Sequence, residues 1–226
     1  MNLILKNPPA VFPHNSLDWR FLLPITVESK ILIIGHEYEY IQKYFFNLGV
    51  SEVYCCADNQ SKVADLGKNN TQQKMLTYDD LIARSSLFSF FDVVVFPSGL
   101  PNTKIEILEL FEFVKKFVRP SGILFVSFAN ELLSKEKHSY SSHPIRIKNI
   151  LKKNGYNLVG VYGAIPDQYI PEYVFPLTPQ AIGFIVRHRY AYKVPNIFLR
   201  LLSSPFVAKM LSNFFPAYFM MATINA

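Results

Sequence analysis

Lys30-Ile-Leu-Ile-Ile-Gly35 is a continuous apolar run of strand length that ends in glycine. After it, Tyr40, Ile41, Tyr44, Phe45 and Leu48 recur at helical spacing up to Gly49. Ser51-Glu-Val-Tyr-Cys-Cys-Ala57 then reads as a second strand closed by Asp58. Strand, turn, helix and strand fit into about 30 residues, the length of a crossover joining two parallel strands. This unit sets the expectation for the rest of the chain.

Downstream the alternation continues. A polar, helix-compatible stretch covers 61–70, Lys74-Met-Leu-Thr77 is a short third strand, and Phe91-Asp-Val-Val-Val-Phe96 is a buried fourth one followed by the turn residues Pro97-Ser-Gly-Leu-Pro101. Ile105 to Val118 carries Ile107, Leu108, Phe111, Val114, Phe117 and Val118 opposite a charged face, which predicts an amphipathic helix stopped before Pro120. Ser121-Gly122 turns the chain into a fifth strand, Ile123 to Phe128. A helix over 145–153 and a sixth strand over 157–162 follow. Alternating βα units predict an α/β fold with a doubly wound, mostly parallel sheet covered on both faces.

After Gly163 the rhythm breaks. The stretch 165–179 holds four prolines among aromatics and reads as a long apolar loop; two helical segments, 179–192 and 195–213, precede a last strand near 217–223. The organisation expected is a lead-in over 1–29, a core over 30–163 and a C-terminal elaboration over 164–226.

Composition narrows the classes. Of 226 residues 50% are hydrophobic and 18% charged, which suits one globular domain and excludes collagen, coiled coil and linker. From Lys135 onward, 11 Lys and Arg face only Glu136, Asp167 and Glu172, a net of +8; the remainder carries 12 cations against 14 carboxylates, or −2. This basic, aromatic-rich part reads as a lid over a bulky substrate, a peripheral membrane contact, a protein interface, or a segment packed on the sheet edge. Nucleic acid is not expected, because the cations match no recognised binding module. Adjacent Cys55 and Cys56 point to opposite faces of a strand and exclude an ordinary disulfide, in keeping with a reducing, cytoplasmic setting. No secretory signal opens the sequence, and no metal-ligand spacing occurs.

In an open parallel sheet the ligand crevice lies at the carboxyl ends of the strands, so the candidate residues are those that end strands. Gly35 admits a ligand close to the backbone. Asp58, 23 positions later, can accept both hydroxyl protons of a ribose or cap the helix that follows. Asp79 and Asp80 follow the third strand, where a helix N-cap is the alternative role, and Phe96 ends the fourth, as crevice floor or as core. His36, His138, His143 and His188 are the groups that titrate near neutral pH. None stands out as a general base.

Four phrases together resemble the class I S-adenosylmethionine-dependent methyltransferases: Ile31-Leu-Ile-Ile-Gly35, Val53 to Asp58, Phe91-Asp-Val-Val-Val95 and Val118-Arg-Pro-Ser-Gly-Ile-Leu-Phe-Val126. The resemblance covers about 19–162. It implies a Rossmann-like fold, S-adenosylmethionine as cofactor, a ribose contact at Asp58, an adenine contact near Asp79 and Asp80, and a natural-product, glycan or other small-molecule acceptor. The first motif departs from the family. Ile33 stands where an acidic residue is usual, and Glu37 and Glu39 replace expected glycines. Glu37 is then either a substitute ligand for the cofactor's amino group or a solvent-facing residue of a repurposed turn. Two functions follow: methyl transfer, or a cofactor-free methyltransferase-like scaffold that uses its C-terminal aromatic region as an interface.

Overall fold

The computed structural model describes residues 19–35, 38–57, 74–84, 89–97, 104–133, 141–168, 171–190, 195 and 204–224. A 3-10 turn over Trp19–Leu22 leads into β1 (Lys30–Ile34), α1 (Tyr38–Asn47), β2 (Glu52–Ala57), β3 (Lys74–Thr77), α2 (Tyr78–Ala83) and β4 (Phe91–Phe96). There follow α3 (Lys104–Lys115), β5 (Val118–Asn130), β6 (Ser141–Ser142), α4 (Pro144–Lys153), β7 (Tyr156–Ile165), β8 (Tyr173–Pro176), α5 (Pro179–Tyr190), α6 (Pro205–Leu211) and β9 (Ala217–Ile224).

The strands form a single sheet in the order β3-β2-β1-β4-β5-β9-β7-β8, with the short β6 paired to β5. Pairings from β3 through β5 are parallel. β9 is antiparallel to both β5 and β7, and β8 is antiparallel to β7. The doubly wound, mostly parallel expectation therefore holds, with the chain order reversing between β1 and β4.

Pleating sorts the apolar runs onto two faces. Leu32, Ile34, Cys56, Val94, Phe96 and Val126 join the larger cluster, which also receives Phe111, Ile147, Leu151, Ile182 and Ala208 from α3, α4, α5 and α6. Ile31, Ile33, Cys55, Val93, Val95 and Phe125 join the other, covered by Ile41 and Phe45 of α1 and by Trp19. The Trp19 ring stacks on Phe125 with centroids 4.6 Å apart. As adjacent strand residues must, Cys55 and Cys56 fall on opposite faces, both buried and neither in a disulfide.

Three expectations need correction. The helix predicted to reach Val118 stops at Lys115, and Val118 already opens β5, paired with Phe91. Proline pushes the residue before it into extended backbone, so Arg119-Pro120 favours strand over helix, and Ser121 at φ +65° absorbs a register shift between Phe91 and Val93. The stretch 165–179 is not all loop: Tyr173-Val-Phe-Pro176 pairs with Ile165 to Tyr162 as β8, with its proline at the end of an edge strand. Of the helix expected over 195–213, the described part is Pro205–Leu211, capped by Ser204, whose hydroxyl accepts from the Val207 N–H at 3.4 Å. The helix expected over 61–70 lies outside the described residues.

Candidate functional site

Parallel strands β1 to β5 end together at one edge of the sheet, and the order reverses between β1 and β4, the place where open α/β sheets hold their ligands. Gly35 closes β1 at this point. Its φ of +122° is one that side chains rarely adopt, and a Cβ built on it would meet no atom within 4 Å. The Gly35 N–H donates to the Cys56 carbonyl at 3.5 Å, which holds the turn against the end of β2. α1 begins three residues later and brings its first-turn amides, which have no partner within the helix, to the same edge. Open space among the described residues, a bare backbone and a helix start make this a place where a polar ligand approaches main chain.

β3 ends one strand further out, and Thr77 serves as the N-cap of α2 in a reciprocal capping box. Thr77 Oγ1 accepts from the Asp80 N–H at 3.0 Å, while Asp80 Oδ2 accepts from the Thr77 N–H and hydroxyl, both at 2.9 Å. These bonds, the backbone one foremost, hold the Asp80 carboxyl below the usual carboxylate range. Asp80 is thus occupied by the helix start, whereas the neighbouring Asp79 is exposed in the same first turn.

At the end of β4, Phe96 is buried and packs edge-on against Phe111 at 6.3 Å, so it belongs to the core. The next carbonyl, that of Pro97, accepts from the buried Ser127 hydroxyl at 2.7 Å, tying the floor of the crevice to β5. Ile33, at the position usually acidic in the resembled family, is fully buried among apolar neighbours.

Glu37, Asp58, His36 and His138 lie outside the described residues, and Glu39 is described only as part of α1. Gly35, Asp79 and Asp80 stand at the carboxyl ends of β1 and β3, with β2 between them. His143 is the N-cap of α4, its Nδ1 accepting from the Ile145 N–H at 3.3 Å, and His188 stacks on Phe184 in α5. Among the described residues no group of three His, Cys, Asp or Glu is arranged to hold a metal ion.

Several polar residues at this edge were not legible as such. Asn130, at the end of β5, is fully buried; its amide donates to the carbonyls of Asn213 and Phe215 at 2.9 and 3.0 Å. β6 pairs with Ala129 and Asn130 beyond the reach of β4, which stops opposite Val126. Ser142 Oγ in β6 and Gln168 Oε1 beyond β7 are buried without a hydrogen-bond partner among the described residues. Such orphaned polar atoms are uncommon. The only sequence signal for them was polarity at strand ends.

No family model matches the chain, and neither does any curated protein. Solved structures do. An S-adenosylmethionine-dependent methyltransferase from Mesorhizobium loti is 13% identical with a TM-score of 0.55, the match covering 90% of this chain and 94% of that one. The chain has the fold of the class I S-adenosylmethionine-dependent methyltransferases. A second such enzyme, from Archaeoglobus fulgidus, is 12% identical with a TM-score of 0.52 over 87% and 86% of the two chains. The [4+2]-cyclase SpnF is also similar, 10% identical with a TM-score of 0.54 over 88% of this chain and 72% of that one. At these identities the likeness concerns the fold, and the chemistry has to be argued from the site.

Proposed function

We propose that this protein transfers a methyl group from S-adenosylmethionine to a small-molecule acceptor. The observation that carries the proposal is Gly35: a left-handed glycine with open space beyond its Cα, set at the switch point of a methyltransferase-ordered sheet. The residues at this edge supply groups that would receive the cofactor. Backbone at Gly35 and the start of α1 would receive its methionine moiety, Asp58 its ribose hydroxyls and Asp79 its adenine, while Glu37 would pair with its ammonium group. The bound cofactor supplies an electrophilic methyl. The chain's own task is to hold sulfonium and acceptor in line and to exclude water, which requires no dedicated catalytic side chain. Ser142 and Gln168 are the polar groups we assign to the acceptor side, on the strands beyond β4. A cytoplasmic setting is consistent with two buried cysteines that form no disulfide.

One observation favours a second reading. Glutamates at 37 and 39 replace glycines of the first motif, and an apolar Ile33 replaces the usual acid, a combination expected of a chain that keeps the fold as a binding or scaffolding subunit. Calorimetric titration with S-adenosylmethionine and S-adenosylhomocysteine, on protein first freed of copurified nucleoside, separates the two. Micromolar binding supports the transferase; a folded protein that binds neither compound refutes it in favour of the scaffold.

A further inference from the structure

α5 and α6 pack against one another and bury Ile182, Ile185, Val186 and Ala208 in the core. Their exposed faces still carry large apolar side chains. On α6, Phe206 is 75% exposed and Met210, one turn on, 55%; Phe214 just past the helix end is 52% exposed. On α5, Phe184 is 66% exposed and stacks on His188 one turn later, with centroids 5.9 Å apart. Four large apolar side chains standing out from one helix pair exceed what a solvated face ordinarily carries.

Charge decides what covers them. Glu172 is the last carboxylate of the sequence; from Tyr173 to Ala226 there are five cations, Arg187, Arg189, Lys193, Arg200 and Lys209, and no Asp or Glu. Arg187 and Lys209 are exposed on the same two helices. A second copy of this chain meeting the surface about a two-fold axis would set like charges against each other. An anionic lipid surface answers both features at once, taking aromatic and thioether side chains into its interfacial zone and the cations at its headgroups. Among the described residues no helix is long and apolar enough to cross a membrane, so the contact would be peripheral.

We propose that the α5–α6 face docks this protein onto anionic membrane surfaces. The test is cosedimentation with vesicles of phosphatidylcholine alone or mixed with phosphatidylglycerol, at low and high salt. The expected result is salt-sensitive binding to the mixed vesicles only. The paired substitution Phe206→Ser and Met210→Ser, at exposed positions, should weaken it about tenfold or more, the equivalent of one large apolar side chain left in water. Lys209→Gln should weaken it about fivefold. Equal binding to both vesicles, binding untouched by the paired substitution, or a dimer in sedimentation velocity that the paired substitution dissolves would each overturn the proposal. Failure to bind either vesicle also overturns it, and capture of polyglutamate by the same face would then assign the surface to an acidic protein.

Discussion

The side-chain amide of Asn130 donates to the main-chain carbonyl of Phe215 at 3.0 Å inside a fully buried junction. The same amide reaches the Asn213 carbonyl, and its Oδ1 accepts from the Leu132 N–H at 3.1 Å. One side chain therefore fixes the end of β5, the turn after it and the approach into β9.

Replacing Asn130 with Ala should strand two buried carbonyls and one N–H. Each such group costs about 1–3 kcal/mol when left unpaired, so the expected loss is roughly 3 kcal/mol in urea unfolding. Asn130→Asp should be nearly as damaging, because a carboxylate cannot donate to either carbonyl.

Tyr218 makes the same junction sensitive to alkali. Its hydroxyl accepts from the Phe215 N–H at 2.9 Å, and burial pushes its pKa from 10.0 up to about 12. The unfolded chain releases this proton first, so the stabilisation is intact below pH 10 and is lost as pH rises toward 12. Burial pushes Tyr156 upward too, its hydroxyl donating to the Phe111 carbonyl. Tyr218→Phe should destabilise the protein by about 1–2 kcal/mol at neutral pH and flatten, without abolishing, the fall in melting temperature above pH 10.

Thr77→Ala removes one half of the capping box at α2. About 1 kcal/mol of stability should go with it. Because the Asp80 carboxyl is held below its usual range, its contribution is present above pH 3.8 and lost as pH falls further. Acid titration followed by circular dichroism should find the transition in Thr77→Ala displaced to higher pH.

Gly35→Ala should separate folding from ligand binding. Nothing nearby clashes with a methyl group, so the cost to stability is the backbone term alone, about 1–2 kcal/mol at positive φ. Nucleoside binding, measured by calorimetry, should fall much further because the methyl enters the space a ligand needs. Asp58→Ala should weaken S-adenosylmethionine by more than about 1 kcal/mol, and unchanged affinity in the folded variant would remove that residue from the site.

What could be read in advance follows from the range of the interactions involved. The run from Ile31 to Gly35 announces a buried strand because every residue must be apolar where both faces are covered, and the glycine ends it at a positive φ that side chains rarely adopt. A capping role at the start of α2 is legible because a capping box spans four consecutive residues, though the N-cap itself is Thr77, with Asp80 at the third helical position. Asn130 was invisible because its partners lie 83 and 85 positions away. β8 was concealed by Pro176, which an edge strand tolerates, and by the prolines around it. Likewise, the place of β9 between β5 and β7 is a decision of the assembled sheet, and no local pattern encodes it.

That place has a consequence for synthesis. Among the described residues, β7 and β8 join the remaining strands only through residues 217–224, which leave the ribosome after every other described strand. Until those residues emerge, β5 and β7 each present an unpaired edge, and the nascent chain carries two open flanks of one unfinished sheet. A ribosome that stalls late in this message would hold out a chain primed to pair with a neighbour's.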